Sequence, residues 1–146
     1  MVDTNYYTPG IEEFYIGFEY EFKDYLDDID KTLFKWETFT IIDGDEIQDV
    51  VFQTDHNNIR VKYLDKEDIE GLGFSTRNLK YWEQEDESII YRKNNYVIVF
   101  WKNAHKSDYK TNIYIKQETG LGMHSFKGEC KNKSELKVIL KQLNIK

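Results

Sequence analysis

Six consecutive apolar residues, Tyr96-Val97-Ile98-Val99-Phe100-Trp101, stand between Lys93-Asn94-Asn95 on one side and Lys102-Asn103 on the other. The run is rich in β-branched and aromatic residues, which predicts a strand covered on both faces at the centre of a sheet. No longer apolar run occurs, and it falls far short of the ~20 residues a helix needs to cross a bilayer, so no membrane span is expected.

Neighbouring strands are read from alternation and turn chemistry. Phe14, Ile16, Phe18, Tyr20 and Phe22 alternate with Tyr15, Gly17, Glu19, Glu21 and Lys23, the period of a half-buried strand. A long strand is therefore expected over 14–22, with Gly17 marking a bulge or a close approach. A second strand is expected over 34–42, Asp43-Gly44 supplies a hairpin turn, and a third strand spans 46–53. After the polar turn Asp55-His56-Asn57-Asn58 come a strand over 59–64 and a short helix over 66–70, capped by Asp65 and ended by Gly71. Strands over 79–84, 88–92 and 96–102 are joined by Glu85-Asp86-Glu87 and Lys93-Asn94-Asn95, and strands over 111–117 and 123–129 flank Gly120-Leu121-Gly122.

The chain closes on an amphipathic helix, because Leu136, Ile139, Leu140 and Leu143 fall at i, i+3, i+4 and i+7 and Asn132 with Glu135 forms a capping box at its start. Lys133, Lys137 and Lys141 recur every fourth residue on another face, most simply a solvated stripe, with a ligand-binding role on charge grounds as the alternative. The predicted fold class is α+β: a twisted, mainly antiparallel sheet of meander and hairpins, with a short middle helix and a C-terminal helix packed on one face. At 146 residues one domain, 1–146, is expected. A central strand covered on both faces, with only one substantial helix to cover it, predicts a homo-oligomer or a second sheet layer.

The net charge of −7 argues against duplex nucleic acid as a partner, since phosphate binding needs clustered cations. The distribution is lopsided: residues 1–73 carry 6 Lys+Arg against 19 Asp+Glu, net −13, and residues 74–146 carry 14 against 8, net +6. Head-to-tail association, an anionic ligand on the second half and a basic partner for the first half are all compatible with that asymmetry, as is a fold that interleaves the two halves. Cys130 is the only cysteine, and MVDTNYYTPG lacks the basic start and apolar core of a signal peptide, so the expected compartment is the cytoplasm.

Catalytic signatures are weak. Asp28-Ile29-Asp30-Lys31-Thr32 looks like the DxDxT nucleophile motif of haloacid-dehalogenase-type phosphatases, and Gly44-Asp45-Glu46-Ile47-Gln48-Asp49 matches their GDxxxD pattern. Neither has the right context, because the nucleophile should follow a buried parallel strand and the second motif should lie several βα units downstream. Asp24, Asp27, Asp28 and Asp30 crowd together without calcium-loop spacing. His56, His105 and His124 are scattered, Cys130 has no nucleophile signature, and no glycine-rich phosphate loop occurs, so no cofactor or metal is assigned.

What remains is a set of cations interleaved with aromatics in the second half. Arg77, Lys80, Trp82, Arg92, Trp101, Lys102 and His105, together with Arg60, are the candidate ligand-binding residues. Arg60, Arg77 and Arg92 are the only arginines and suit bidentate phosphate recognition, while Trp82 offers a face for a base. The competing reading is that strand aromatics simply build the core.

Three stretches carry a resemblance: TPGIEEFYIGFEYE at 8–21, IRVKYLDKEDIEGLGF at 59–74, and the closing segment from Phe126-Lys127-Gly128 to Leu143-Asn144-Ile145. They resemble small uncharacterised proteins carried by phages and mobile elements of gut bacteria. The resemblance implies a setting and no catalytic residue. It leads to the expectation of a non-enzymatic accessory binding protein in the host cytoplasm that counters host defence by sequestering a nucleotide-like signal or capturing a host protein. Two alternatives stand beside it: a structural or protein–protein module, such as a virion component or an acidic mimic of nucleic acid, and a metal-dependent hydrolase around Asp28 and Asp30.

Overall fold

A computed structural model describes residues 5–76, 88–101, 111–117 and 124–145. The architecture is α+β, with two antiparallel sheets and three α-helices among the described residues. The chain divides into two compact units, Met1–Tyr63 and Leu64–Lys146. The charge asymmetry persists across that boundary in weaker form than between the two halves: the first unit holds 5 Lys+Arg against 15 Asp+Glu, net −10, and the second 15 against 12, net +3.

The first unit contains β1 (Tyr6–Tyr7), β2 (Glu19–Tyr25), β3 (Phe34–Thr40), α1 (Gly44–Asp55) and β4 (Ile59–Lys62), its sheet running β1-β4-β2-β3. Phe14, Phe18, Tyr20, Ile41, Val50, Ile59 and Val61 form its core. Two expectations are corrected here. The strand predicted over 14–22 begins only at Glu19, preceded by a 3₁₀ turn at Ile11–Glu13 and a reverse turn in which the Phe18 N–H donates to the Tyr15 carbonyl at 3.0 Å. Gly17, at φ +100°, takes the chain out of the extended region and leaves Ile16 62% exposed while Phe14 and Phe18 stay in the core. The turn thus breaks the alternation at Ile16, and strand geometry begins only after it.

The hairpin predicted at Asp43-Gly44 and the strand over 46–53 are instead α1. Asp43 is its N-cap, accepting the Glu46 N–H at 2.9 Å, and Asp45 and Glu46 lie in the first turn, where carboxylates complement the helix dipole. Val50 and Thr54 are buried and Ile47 and Val51 partly so, an i, i+3, i+4, i+7 face that overrides the local turn signal. The polar turn after it is as expected, with His56 as C-cap and Asn57 at φ 59°.

The second unit holds α2 (Lys66–Gly71), β5 (Ser88–Lys93), β6 (Tyr96–Trp101), β7 (Ile113–Gln117), β8 (His124–Gly128) and α3 (Lys133–Gln142). Its sheet is an antiparallel meander, β5-β6-β7-β8, and the apolar run is an interior strand. Tyr91, Ile98, Phe100, Ile113 and Ile115 share one face, and Leu136 and Leu140 of α3 complete that core. Asp65 caps α2 with a full capping box, and the left-handed residue after the helix is Gly73, at φ +95°, where Gly71 was expected to end it. The strand expected over 79–84 and the turns at 85–87 and 120–122 lie outside the described residues.

One polar side chain ties this unit together. Asn112 is buried; its backbone accepts from Trp101 at 2.9 Å and donates to Gly128 at 3.0 Å, while its amide both donates to the Cys130 carbonyl and accepts from the Cys130 N–H at 2.7 Å. Asn112→Ala leaves two buried backbone groups unpaired and is expected to cost about 3 kcal/mol, read as a lowered urea midpoint; a midpoint within experimental error of the parent's would refute this account.

Candidate functional site

The sequence-predicted residues that the structure describes are divided between the two units. Arg60, on β4, lies in the first unit, Arg92 (β5) and Trp101 (β6) in the second, and Arg77, Lys80, Trp82, Lys102 and His105 lie outside the described residues. The Arg60 guanidinium is engaged within the chain: its Cζ sits 3.6 Å from the Tyr6 ring centroid and 4.2 Å from that of Trp36, and Nη2 donates to Glu21 Oε1 at 3.2 Å. Lys23 Nζ continues the row, 5.4 Å from the Trp36 ring and 4.5 Å from Phe34. A row of interleaved cations and aromatics, paired within the chain, is thus present in the first unit. Trp101 packs edge-on to Tyr114 at 4.7 Å, and Arg92 is half-buried with its backbone bridged to Ser75.

The acidic hairpin tip is occupied with its own turn. Asp27 Oδ1 accepts the N–H groups of Ile29 (2.7 Å) and Asp30 (3.0 Å), and Asp30 Oδ1 accepts from the Thr32 N–H and hydroxyl. These bonds hold the Asp27 and Asp30 carboxyls below their ordinary range. The tip joins two antiparallel strands, and the Gly44–Asp49 pattern lies on α1, so neither segment has phosphatase context. No group of three or more His, Cys, Asp or Glu able to hold a metal is found among the described residues. Cys130 is buried, with burial pushing its thiol up, and Glu135 adding to that shift.

The second unit builds a more promising arrangement. A cleft of about 330 Å³ is bounded by Lys93, Lys137, Lys141 and Asn144 over Leu72, Leu140 and Ile145. Its components come from three elements. Lys137 and Lys141 lie one turn apart on the exposed side of α3, and Lys93 ends β5 just before Asn94, whose φ of 54° makes the hairpin. Lys93 Nζ donates to the Leu72 carbonyl at 2.9 Å, passing so close to Gly73 that a Cβ there would meet its Cε and Nζ at 3.2 Å. Glycine at 73 therefore serves both a left-handed backbone and the passage of a lysine. Asn132 Oδ1 caps α3 by accepting the Glu135 N–H at 2.9 Å, and the Glu135 carboxylate accepts the Lys131 N–H, one residue earlier than a standard capping box.

Chemically, three ammonium groups around an apolar floor can hold an anion attached to an apolar body. Lys93 is legible in the sequence only as a turn residue, and its meeting with Lys137 and Lys141 is tertiary. The four-residue spacing of the lysines on α3 is the one signal that marks half of this site.

No protein-family model matches the chain, and no curated protein and no solved structure matches it either.

Two buried phenols report on the fold. Burial, with Glu46 and Asp49 adding to it, pushes Tyr20 up to about 12, and burial, with Glu70 and Asp65 nearby, pushes Tyr91 up to about 12. Each phenol holds its proton more tightly folded than unfolded, so the stability linked to it is intact below pH 10 and is lost as the pH rises toward about 12. Phenolate absorbance is expected to show two late tyrosines that ionise together with loss of structure. Two late phenols that ionise while the fold persists would show that they are accessible to hydroxide.

Proposed function

We propose that the chain is a non-enzymatic binding protein that captures a small nucleotide-like anion in the lysine-rimmed cleft of the second unit. The observation that carries this reading is the convergence of Lys93, Lys137 and Lys141 on the floor formed by Leu72, Leu140 and Ile145. Ammonium groups suit phosphate as point charges, and an apolar floor accepts the face of a base. The volume of about 330 Å³ is at the small end of ligand pockets, which favours a mononucleotide over a polymer. The resemblance to phage-borne proteins supports a setting in the host cytoplasm, where such capture removes a nucleotide signal used in defence.

A second reading, capture of a host protein, is favoured by the hairpin between β2 and β3. Its tip exposes Leu26, Ile29 and Leu33, with Ile29 94% exposed. Clustered exposed aliphatic residues of this kind mark contact surfaces on soluble chains.

Mass spectrometry of small molecules retained by the purified chain, beside a thermal-shift panel of mono-, di- and cyclic nucleotides, tests the first reading. A nucleotide present at about a hundredfold over its Kd should add about 2.7 kcal/mol of stability. Lys137→Ala with Lys141→Ala, both exposed positions, should leave the melting temperature of the free chain within a degree or two and weaken that ligand about tenfold. If no nucleotide stabilises the chain, the reading falls, and pull-downs comparing the parent with Ile29→Ser decide whether the hairpin captures a protein.

A further inference from the structure

The first unit has a cleft of a different kind, about 420 Å³ in volume, between α1 and the β2–β3 face of the sheet. Tyr20, Phe22 and Phe39 line it from the sheet and Phe52 from the helix, and Glu46 and Asp49 stand on the same helical wall. The rings are already ordered against one another: Tyr20 and Phe39 stack at 6.0 Å, and Phe22 meets Phe39 edge-on at 6.3 Å. Phe39 and Phe52 nonetheless leave 41% and 57% of their surface exposed.

The carboxylates decide what these rings suit. Glu46 is fixed, with Oε2 accepting the Ile42 N–H at 2.9 Å and Oε1 within 3.5 Å of the Tyr20 hydroxyl. Neither Glu46 nor Asp49 forms an ion pair with a lysine or arginine among the described residues. The negative field is felt inside the cleft, since both carboxylates help hold the Tyr20 proton in place. A phosphate or carboxylate ligand would be repelled here. A bare metal ion would find two carboxylates and four hydrocarbon walls in place of the six or more oxygens it prefers. The faces of aromatic rings are instead matched to a bulky, weakly hydrated cation, and carboxylates at the rim complement its charge.

We propose that this cleft binds an organic ammonium ion, with methylated nitrogen against the rings of Tyr20, Phe39 and Phe52 and its charge facing Glu46 and Asp49. The chemistry is shared by free quaternary amines and by a trimethylated lysine side chain. It is independent of the lysine-rimmed cleft, which takes the opposite charge.

Calorimetric titration of the full chain with choline, with its uncharged carbon isostere 3,3-dimethylbutanol, and with a short peptide carrying trimethyllysine tests the proposal. Choline or the peptide should bind, and the isostere should bind about tenfold more weakly or not at all. Binding of choline alone identifies a free amine as the source, and binding of the peptide alone a modified side chain. Asp49→Asn and Phe52→Ala, at exposed positions, should each weaken the bound cation about tenfold while the far-ultraviolet spectrum and melting temperature stay those of the parent. Lys137→Ala with Lys141→Ala should leave it unchanged. Equal affinity for the isostere, silence of both cations, or variants that bind like the parent would each overturn the assignment.

Discussion

The second unit is organised around the amide of Asn112, which supplies hydrogen bonds that a strand backbone would normally supply. Through its own peptide groups Asn112 joins β6 to β8, and through its side chain it pairs with both peptide groups of Cys130, beyond the end of β8. Cys130 is thereby held two residues before Asn132, the cap of α3. The helix then lays Leu136 and Leu140 on Tyr91, Ile98, Phe100, Ile113 and Ile115, and turns Lys137 and Lys141 toward Lys93. A buried amide that donates and accepts at once pairs both peptide groups of Cys130, two bonds in opposite senses from one side chain.

The two units also differ in what they offer a ligand. One carries net −10 and an aromatic cleft walled by carboxylates, and the other net +3 and an apolar floor ringed by ammonium groups. Both clefts are built the same way, from the exposed flank of a helix against a sheet or a hairpin end. Selectivity between them is a matter of sign and of ring faces against aliphatic ones.

How much of this was legible in the sequence depended on where the deciding interaction lay. The apolar run at Tyr96–Trp101 and the Leu136, Ile139, Leu140 stripe are local patterns longer than any competing signal, and both gave the right element. Asp43-Gly44 was ambiguous at the level of the dipeptide, since an aspartate before glycine serves a hairpin or an N-cap. The face formed by Ile47, Val50, Val51 and Thr54 resolves it, once the period is counted along the whole of the presumed strand to Thr54. Gly17 acts in the opposite way: the apolar alternation in the sequence runs on through a bend that turns Ile16 out to solvent. Site residues were less legible. Arg60 was singled out for phosphate on its chemistry, yet its surroundings, Tyr6, Trp36 and Glu21, come from three other segments. The pairing of Lys93 with α3 requires the whole meander, and so does the backbone at Gly73 that admits it.

The position of β3 at the margin of the first sheet has a consequence for growth of that sheet. Among the described residues no strand pairs with its outer side, and its seven residues leave a row of peptide groups to water. The opposite margin, β1, is only two residues long and offers almost nothing to extend. Phe34 and Trp36 stand on one face of β3 while the ion pair of Lys35 with Glu37 at 2.7 Å stands on the other, so an incoming strand would meet rings on one side and fixed charges on the other. The sheet is thus polar in the geometric sense: among the described residues it has one long margin at which an added strand would find a template.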